Sequence, residues 1–198
     1  MTSRAVAAAI VLAAGRSQRF GKENKLLHLI DGEPMVRVSI GNLLRVGLGH
    51  VVVVTGHDAD AVERALNGLD VKCERNATPW AGMGNSLAAG ANAVPDDVEA
   101  VAIVLADMPA LKPETIGGLI DQFKPESGND IAVPVFEGRR GHPVVFGRRY
   151  LGALRALSGD QGARSVLSEN PERVQTVDVE DAGVLKDVDT PGDLSADC

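Results

Sequence analysis

Four apolar, β-branched runs constrain this chain more than any other feature. They are Ala9–Ala13 (AIVLA), Val51–Gly56 (VVVVTG), Ala100–Asp107 (AVAIVLAD) and Asp130–Phe136 (DIAVPVF). Each reads as continuous rather than alternating, which is the pattern of a strand covered on both faces. The intervening stretches carry helical patterns at Met35–Val46, Ala59–Asn67, Ser86–Ala93 and Pro113–Phe123. Strand–helix alternation predicts an α/β fold with a mostly parallel central sheet and helices on both faces. The pattern then changes. Residues 136–147 (FEGRRGHPVVFG) read as a late β-hairpin with Gly138 and Gly141 in its turn. Helices are expected at Arg149–Leu157 and Ala163–Ser168, and a last strand at Arg173–Val179. No linker rich in Pro, Gly or Ser divides the 198 residues, and there is no internal repeat, so one domain is expected.

The beginning of the chain admits two readings. Arg4 followed by AVAAAIVLAAG resembles the basic and apolar parts of a signal sequence. The run is too short for the ~20 residues that span a bilayer, and a patterned domain follows it, so a buried first strand is the favoured reading. Two isolated cysteines, Cys73 and Cys198, form neither a disulfide framework nor a metal-site pattern, and a reducing cytoplasm is the expected setting. A net charge of −7 argues against a nucleic-acid surface, and 3% aromatic residues leave little area for stacking a single strand.

Against that acidic background the loop after the first strand stands out. LAAGRSQRFGKENK carries Arg16, Arg19, Lys22 and Lys25 around small residues. Local cation in an acidic protein points to an anionic target, or else to a solvated surface loop. Gly15 can take φ > 0, so that successive backbone N–H groups can point at an anion. The spacing is neither that of a Walker A loop nor of the dinucleotide G-x-G-x-x-G.

In an open parallel sheet ligands bind at the carboxyl ends of the strands, and the remaining loops there carry further candidates. ATPWAGMGNSLAAGA places Gly82 and Gly84 before Ser86, which can cap the following helix; the turn is a ligand site or an ordinary capped helix. In VLADMPAL, Asp107 ends an apolar strand, where it can hold Mg²⁺ or cap the next turn. Arg139, Arg140 and His142 sit at the hairpin, as a second anion site or a solvated tip. In KDVDTPGDL, Thr190 and Asp193 suit a capping box with Pro191 at the first helical position. Asp187 and Asp189 are not needed for that and are left as metal-ligand candidates.

Together, LAAGRSQRFGKENKLL, GMGNSL, ADMPAL, GHPVVF, GDQGAR and DVDTPGDL resemble, in order, the motifs of MobA-like nucleotidyltransferases, most nearly the molybdenum cofactor cytidylyltransferase branch. The resemblance spans roughly residues 6–194. It implies a Rossmann-like nucleotidyltransferase fold and transfer of a nucleoside monophosphate from an NTP to a phosphate monoester, with Mg²⁺ and release of pyrophosphate. It implies nucleotide binding by Leu12, Ala13, Ala14, Gly15, Arg16, Arg19, Lys25, Gly84 and Ser86. Arg19, Lys25 and Asp107 are the implied catalytic residues, and Asp107 and Asp189 the metal ligands. Arg140, His142, Asp160 and Arg164 are implied on the side of a pterin-type acceptor. Members that use CTP tend to read L-A-A-G where GTP users read L-A-G-G, so Ala14 favours CTP. Lys25 lies four residues after Gly21 rather than the usual three, which leaves Lys22 as a second phosphate candidate. A molybdoenzyme that receives the product is an implied partner, and neither nucleic acid nor membrane is. The competing readings are a relative acting with GTP or on a sugar or polyol phosphate, and a non-catalytic cofactor-binding protein with the same fold.

Overall fold

The computed structural model describes residues 7–17, 20, 23–123 and 130–194. The chain runs β1 (Ala7–Ala13), β2 (Leu29–Ile30), β3 (Glu33–Pro34), α1 (Met35–Leu44), β4 (His50–Thr55), α2 (Ala59–Ala65), β5 (Lys72–Arg75), α3 (Met83–Ala93), β6 (Ala100–Leu105) and α4 (Pro113–Gln122). It continues through β7 (Ile131–Phe136), β8 (Arg139–Arg140), β9 (Val144–Gly147), α5 (Leu151–Arg155), α6 (Ala163–Glu169) and β10 (Val174–Asp178). The main sheet has the order β10-β7-β9-β6-β1-β4-β5, with β8 attached to β7. The pairs β1–β4, β1–β6, β4–β5 and β7–β10 are parallel, while β9 pairs antiparallel with β6 and β7, as β8 does with β7. This is the mostly parallel α/β sheet expected from the four apolar runs.

Period-two geometry explains why those runs are continuous. Along β1, Ala7, Ala9, Val11 and Ala13 face one buried cluster, and Ala8 and Ile10 face another. The first cluster is closed by Val36, Ile40 and Leu43 of α1, Val62 of α2, and Ile116, Leu119 and Ile120 of α4. The second is closed by Leu87 and Ala91 of α3, Leu151 and Leu154 of α5, and Val166 of α6. Each buried Val, Leu or Ile contributes about 1.5–3 kcal/mol, so a polar residue on either face of β1 would forfeit that and add a desolvation cost. The apolar run Ala7–Ala13 is therefore a central strand. Among the described residues no helix is long and apolar enough to cross a membrane.

Three local expectations are corrected. The strand β5 was not expected: its sequence KCER is polar because it lies at the sheet edge, where it is only partly covered. The hairpin turn is tighter than its glycines suggest. Glu137 and Gly138 (φ 48° and 75°) make the turn from β7 to the two-residue β8. Gly141 lies beyond it, where an added Cβ would fall 2.3 Å from the Val184 carbonyl oxygen. Finally, α3 begins at Met83 with Gly82 at its N-cap, so Ser86 is a buried residue inside the helix rather than its cap.

Candidate active site

The loops at the carboxyl ends of β1, β5 and β6 meet in a cavity of 610 Å³. Leu12, Ala13, Ala14, Gly15, Arg16 and Lys25 all line it, as do Ser86, Asp107, Asp160 and Asp189. Arg19 and Lys22 fall outside the described residues. Among the described residues of this loop a positive φ is found at Ser17 (51°) and not at Gly15. Gly15 instead leaves its face open, since a Cβ there would meet nothing within 4 Å.

Lys25 is the centre of the charged end. Its Nζ lies 2.6 Å from Asp107 Oδ2 and 3.0 Å from Asp189 Oδ1. The residue sits in a single 3₁₀ turn, Lys25–Leu27, whose cap is Asn24. Asn24 Oδ1 accepts from the Leu26 N–H (3.1 Å) and from Ser17 Oγ (3.3 Å), while its Nδ2 donates to Asp58 (3.4 Å). One buried side chain thus fixes the lysine turn to the loop that precedes it. Burial alone would lower the Lys25 pKa, but the hydrogen bonds and charges of Asp107 and then Asp189 outweigh it and hold the group above its ordinary 10.5. The ammonium is cationic throughout the neutral range.

The two carboxylates are brought together by backbone as well. The Val188 N–H donates to the Asp107 carbonyl (2.9 Å), pinning the 187–189 segment to the end of β6. Asp193 accepts from the N–H groups of Thr190 (2.7 Å) and Asp189 (3.0 Å) and from the Thr190 hydroxyl (3.0 Å). The Thr190 and Asp189 N–H groups keep its carboxylate below the ordinary 3.8. This is the expected capping arrangement, and it leaves Asp187 and Asp189 on the cavity wall.

A divalent cation suits this donor set. Asp107 Oδ1 is buried and has no hydrogen-bond partner among the described residues, and the Asp189 carboxylate faces the same lysine. No group of three or more His, Cys, Asp or Glu side chains able to hold a metal occurs among the described residues. Two carboxylates that leave the remaining positions to phosphate oxygens and water are the usual Mg²⁺ arrangement, rather than an all-protein cage.

The second expected loop divides its residues. Ser86 Oγ accepts from Asn76 Nδ2 (2.9 Å), and Asn76 Oδ1 is taken by the Thr78 N–H (2.9 Å). The Ser86 proton is therefore free to serve an acceptor in the cavity. Gly84, expected at the nucleotide, is not among the residues that line this cavity. Its N–H donates to the Gly159 carbonyl (2.8 Å), and an added Cβ would lie 2.6 Å from the Gln161 carbonyl oxygen. The first turn of α3 is thus pressed against residues 158–161, and the Gly84 N–H is spent there. The same contact brings Asp160 to the first cavity, away from the acceptor group in which it was expected.

A second cavity of 440 Å³ adjoins the first and shares Leu12, Met83 and Leu105 with it. Arg140, His142 and Arg164 line it, in a setting otherwise dominated by Val133, Val144, Leu87 and Val174. The His142 N–H donates to the Val184 carbonyl (2.8 Å), which holds the segment beside the 182–185 turn. Burial lowers the imidazole pKa below 6.5 despite a hydrogen bond with the Ile103 backbone and the negative charges of Asp107 and Asp187. Its Nδ1 is buried without a partner among the described residues.

A phosphate-sized glycine loop, a lysine between two carboxylates and an adjoining half-apolar cavity, all at the carboxyl edge of a parallel sheet, define a nucleotidyltransferase type of protein. Solved structures agree. Rv0371c of Mycobacterium tuberculosis H37Rv superposes with a TM-score of 0.83 at 25% identity, covering 98% of this chain and 97% of that one. Its manganese complex gives 0.76 at 27% identity, covering 96% of each. Residues 9–175 match the MobA-like NTP transferase domain, and the chain belongs to that family. Relatives of similar length include the nicotine blue oxidoreductase of Paenarthrobacter nicotinovorans, 32% identical over 186 residues and 91% of each chain. The purine catabolism protein PucB of Bacillus subtilis is 30% identical over 193 residues, 92% of this chain and 91% of its own.

Proposed function

We propose that this protein transfers CMP from CTP to the phosphate of a molybdopterin-type acceptor and releases pyrophosphate. The observation that carries the reading is Lys25 Nζ held between Asp107 and Asp189 in the cavity lined by Ala14, Gly15 and Arg16. An oxygen of the acceptor phosphate attacks the α-phosphorus. A new P–O bond forms, the bond from the α-phosphorus to the bridging oxygen breaks, and that oxygen leaves with the electron pair on pyrophosphate. The nucleophile is already ionised, so no protein base is required, and positioning and charge carry the catalysis. Arg16 and Lys25 stabilise the charge that accumulates on the leaving group. Asp107 and Asp189 would hold Mg²⁺, which when bound would supply charge neutralisation to the phosphates. The second cavity takes the acceptor: its apolar wall suits a ring system, and Arg140 and Arg164 supply cation for the anionic group. Transfer of the product to a recipient molybdoenzyme belongs to the same reading.

The choice of CTP rests on Ala14. A Cβ at Gly56 would fall 2.9 Å from the Ala14 methyl and 2.7 Å from Pro79 Cβ, so that methyl fills the corner where the cationic loop meets the Pro79–Ala81 turn. A pyrimidine tolerates a filled corner better than a purine, by the ~1–3 kcal/mol that one methyl contributes to discrimination. The test is kcat/KM for CTP and GTP on the wild type and Ala14→Gly. A wild-type preference for CTP that narrows in the variant is expected, and a preference for GTP would overturn the assignment of the base.

Oxidoreduction is the second reading, favoured by the full-length similarity to a protein named an oxidoreductase. It gives no use to a lysine held between two carboxylates beside a glycine loop. Consumption of a reduced nicotinamide cofactor, measured alongside pyrophosphate release, separates the two.

A further inference from the structure

We propose that Trp80 stacks on the base of the bound nucleotide and closes the ring end of the first cavity. This deepens the nucleotidyl-transfer reading and rests on it. Trp80 is the chain's one tryptophan, and it is 66% exposed, while apolar residues of comparable size are almost all buried. Neighbouring Met83 is 53% exposed, and both side chains line the cavity. A large aromatic surface left in water beside a ligand cavity costs free energy that a stacked ligand recovers.

The segment is built to present this side chain. Asn76 Oδ1 accepts from the Thr78 N–H (2.9 Å) and lies 3.4 Å from the Thr78 hydroxyl, fixing the entry to the Pro79–Ala81 turn. Pro79 abuts Gly56 beside Ala14. At the exit, Gly82 (φ 107°) lies so close to the Gly159 carbonyl that any Cβ would clash at 2.1 Å. The turn is therefore held on both sides, and Trp80 projects from a fixed base.

The chemistry of the walls selects the base rather than the phosphates. Arg16, Lys25, Asp107 and Asp189 carry the groups that phosphates and a cation need. Pro79, Trp80, Gly82 and Met83 add no charge, Ser86 beside them offers one hydroxyl proton, and Asp160, next to Gly82, adds a carboxylate rather than a cation for phosphate. An indole face over a planar heterocycle with a hydrogen bond at its edge is a nucleobase site. Trp80 lines the first cavity and not the second, which assigns it to the nucleotide rather than to the acceptor ring.

Because Trp80 is the only indole, its fluorescence reports this contact directly. The full chain is titrated with CTP and, separately, with inorganic tripolyphosphate, while equilibrium dialysis with labelled CTP measures binding independently. CTP is expected to quench and shift the emission, and tripolyphosphate to leave it unchanged. Trp80→Ala is expected to weaken CTP binding roughly tenfold, and Trp80→Phe to retain most of it. CTP binding without a change in emission, equal quenching by tripolyphosphate, or undiminished affinity of Trp80→Ala would each overturn the stacking proposal while leaving the transfer reading intact. Failure of every NTP to bind in dialysis would overturn both.

Discussion

Lys25→Met removes the ammonium that lies 2.6 Å from Asp107 and 3.0 Å from Asp189 and keeps most of the side-chain volume. Two carboxylates then share one site without the lysine's charge between them. Breaking a buried ion pair by removing one partner costs about 3–5 kcal/mol. The Asp107 side chain is 17% exposed and Asp189 40%, so solvent screens the second pair and only the Asp107 half is counted at near full weight. The expected loss is about 2–3 kcal/mol, or ~5–10 °C in Tm for a chain of this length. The Lys25 pKa is raised in the folded state, so its contribution is fully present below 10.5 and is lost only as pH rises through the higher folded value. Scans at pH 7.5 therefore report all of it. The variant should also respond to a divalent cation more strongly than the wild type, whose ammonium competes with the cation for the same two carboxylates. A divalent cation can enter where the ammonium stood, and 10 mM of an ion with a Kd of about 1 mM adds ~1.4 kcal/mol. Differential scanning fluorimetry with and without Mg²⁺ or Mn²⁺ checks both effects. The reasoning is refuted if Lys25→Met melts with the wild type, or if cation raises both melting points equally.

Three further outcomes follow from the same geometry. Asp107→Asn should lower turnover at least a hundredfold, with the circular dichroism spectrum unchanged, because the residue lies beyond the end of β6 rather than within it. Gly84→Ala should lower stability by about 1–3 kcal/mol in urea melts, since its Cβ would fall 2.6–2.8 Å from backbone atoms of Gln161 and Ser158 that cannot swing aside. His142 is held neutral by burial, so its contribution is present above pH 6.5 and is lost as pH falls from there through its lowered folded pKa. His142→Gln should therefore show a shallower fall in stability than the wild type between about pH 6.5 and 5, compared by urea melts at each pH.

How far the sequence reveals this site depends on what kind of contact makes it. The four apolar runs disclose the sheet because burial on both faces leaves no room for alternation. Lys25, Asp107 and Asp189 are legible as motif residues, Asp107 just after a strand end, although their mutual contact joins segments up to 164 residues apart. Asn24 had a local signal, an amide immediately before the Lys25 turn, that reads as a cap only once that turn is seen. Asn76 and Trp80 were missed because they follow β5, whose polar edge sequence hides the strand that would have marked them as strand-end residues. The places of Gly84, outside the first cavity's lining, and Asp160, within it, were not legible for a different reason. Their positions follow from the approach of residues 82–84 to residues 158–161, and no periodicity or turn signal in either segment encodes that meeting.

The central claim is tested most directly by incubating the protein with CTP labelled on its α-phosphate, Mg²⁺ and a phosphorylated pterin. Label is expected in a CMP–pterin conjugate identified by mass, with one pyrophosphate released per conjugate and both lost in Asp107→Asn. Intact CTP, no conjugate with any NTP, and consumption of a reduced nicotinamide cofactor in its place would contradict it.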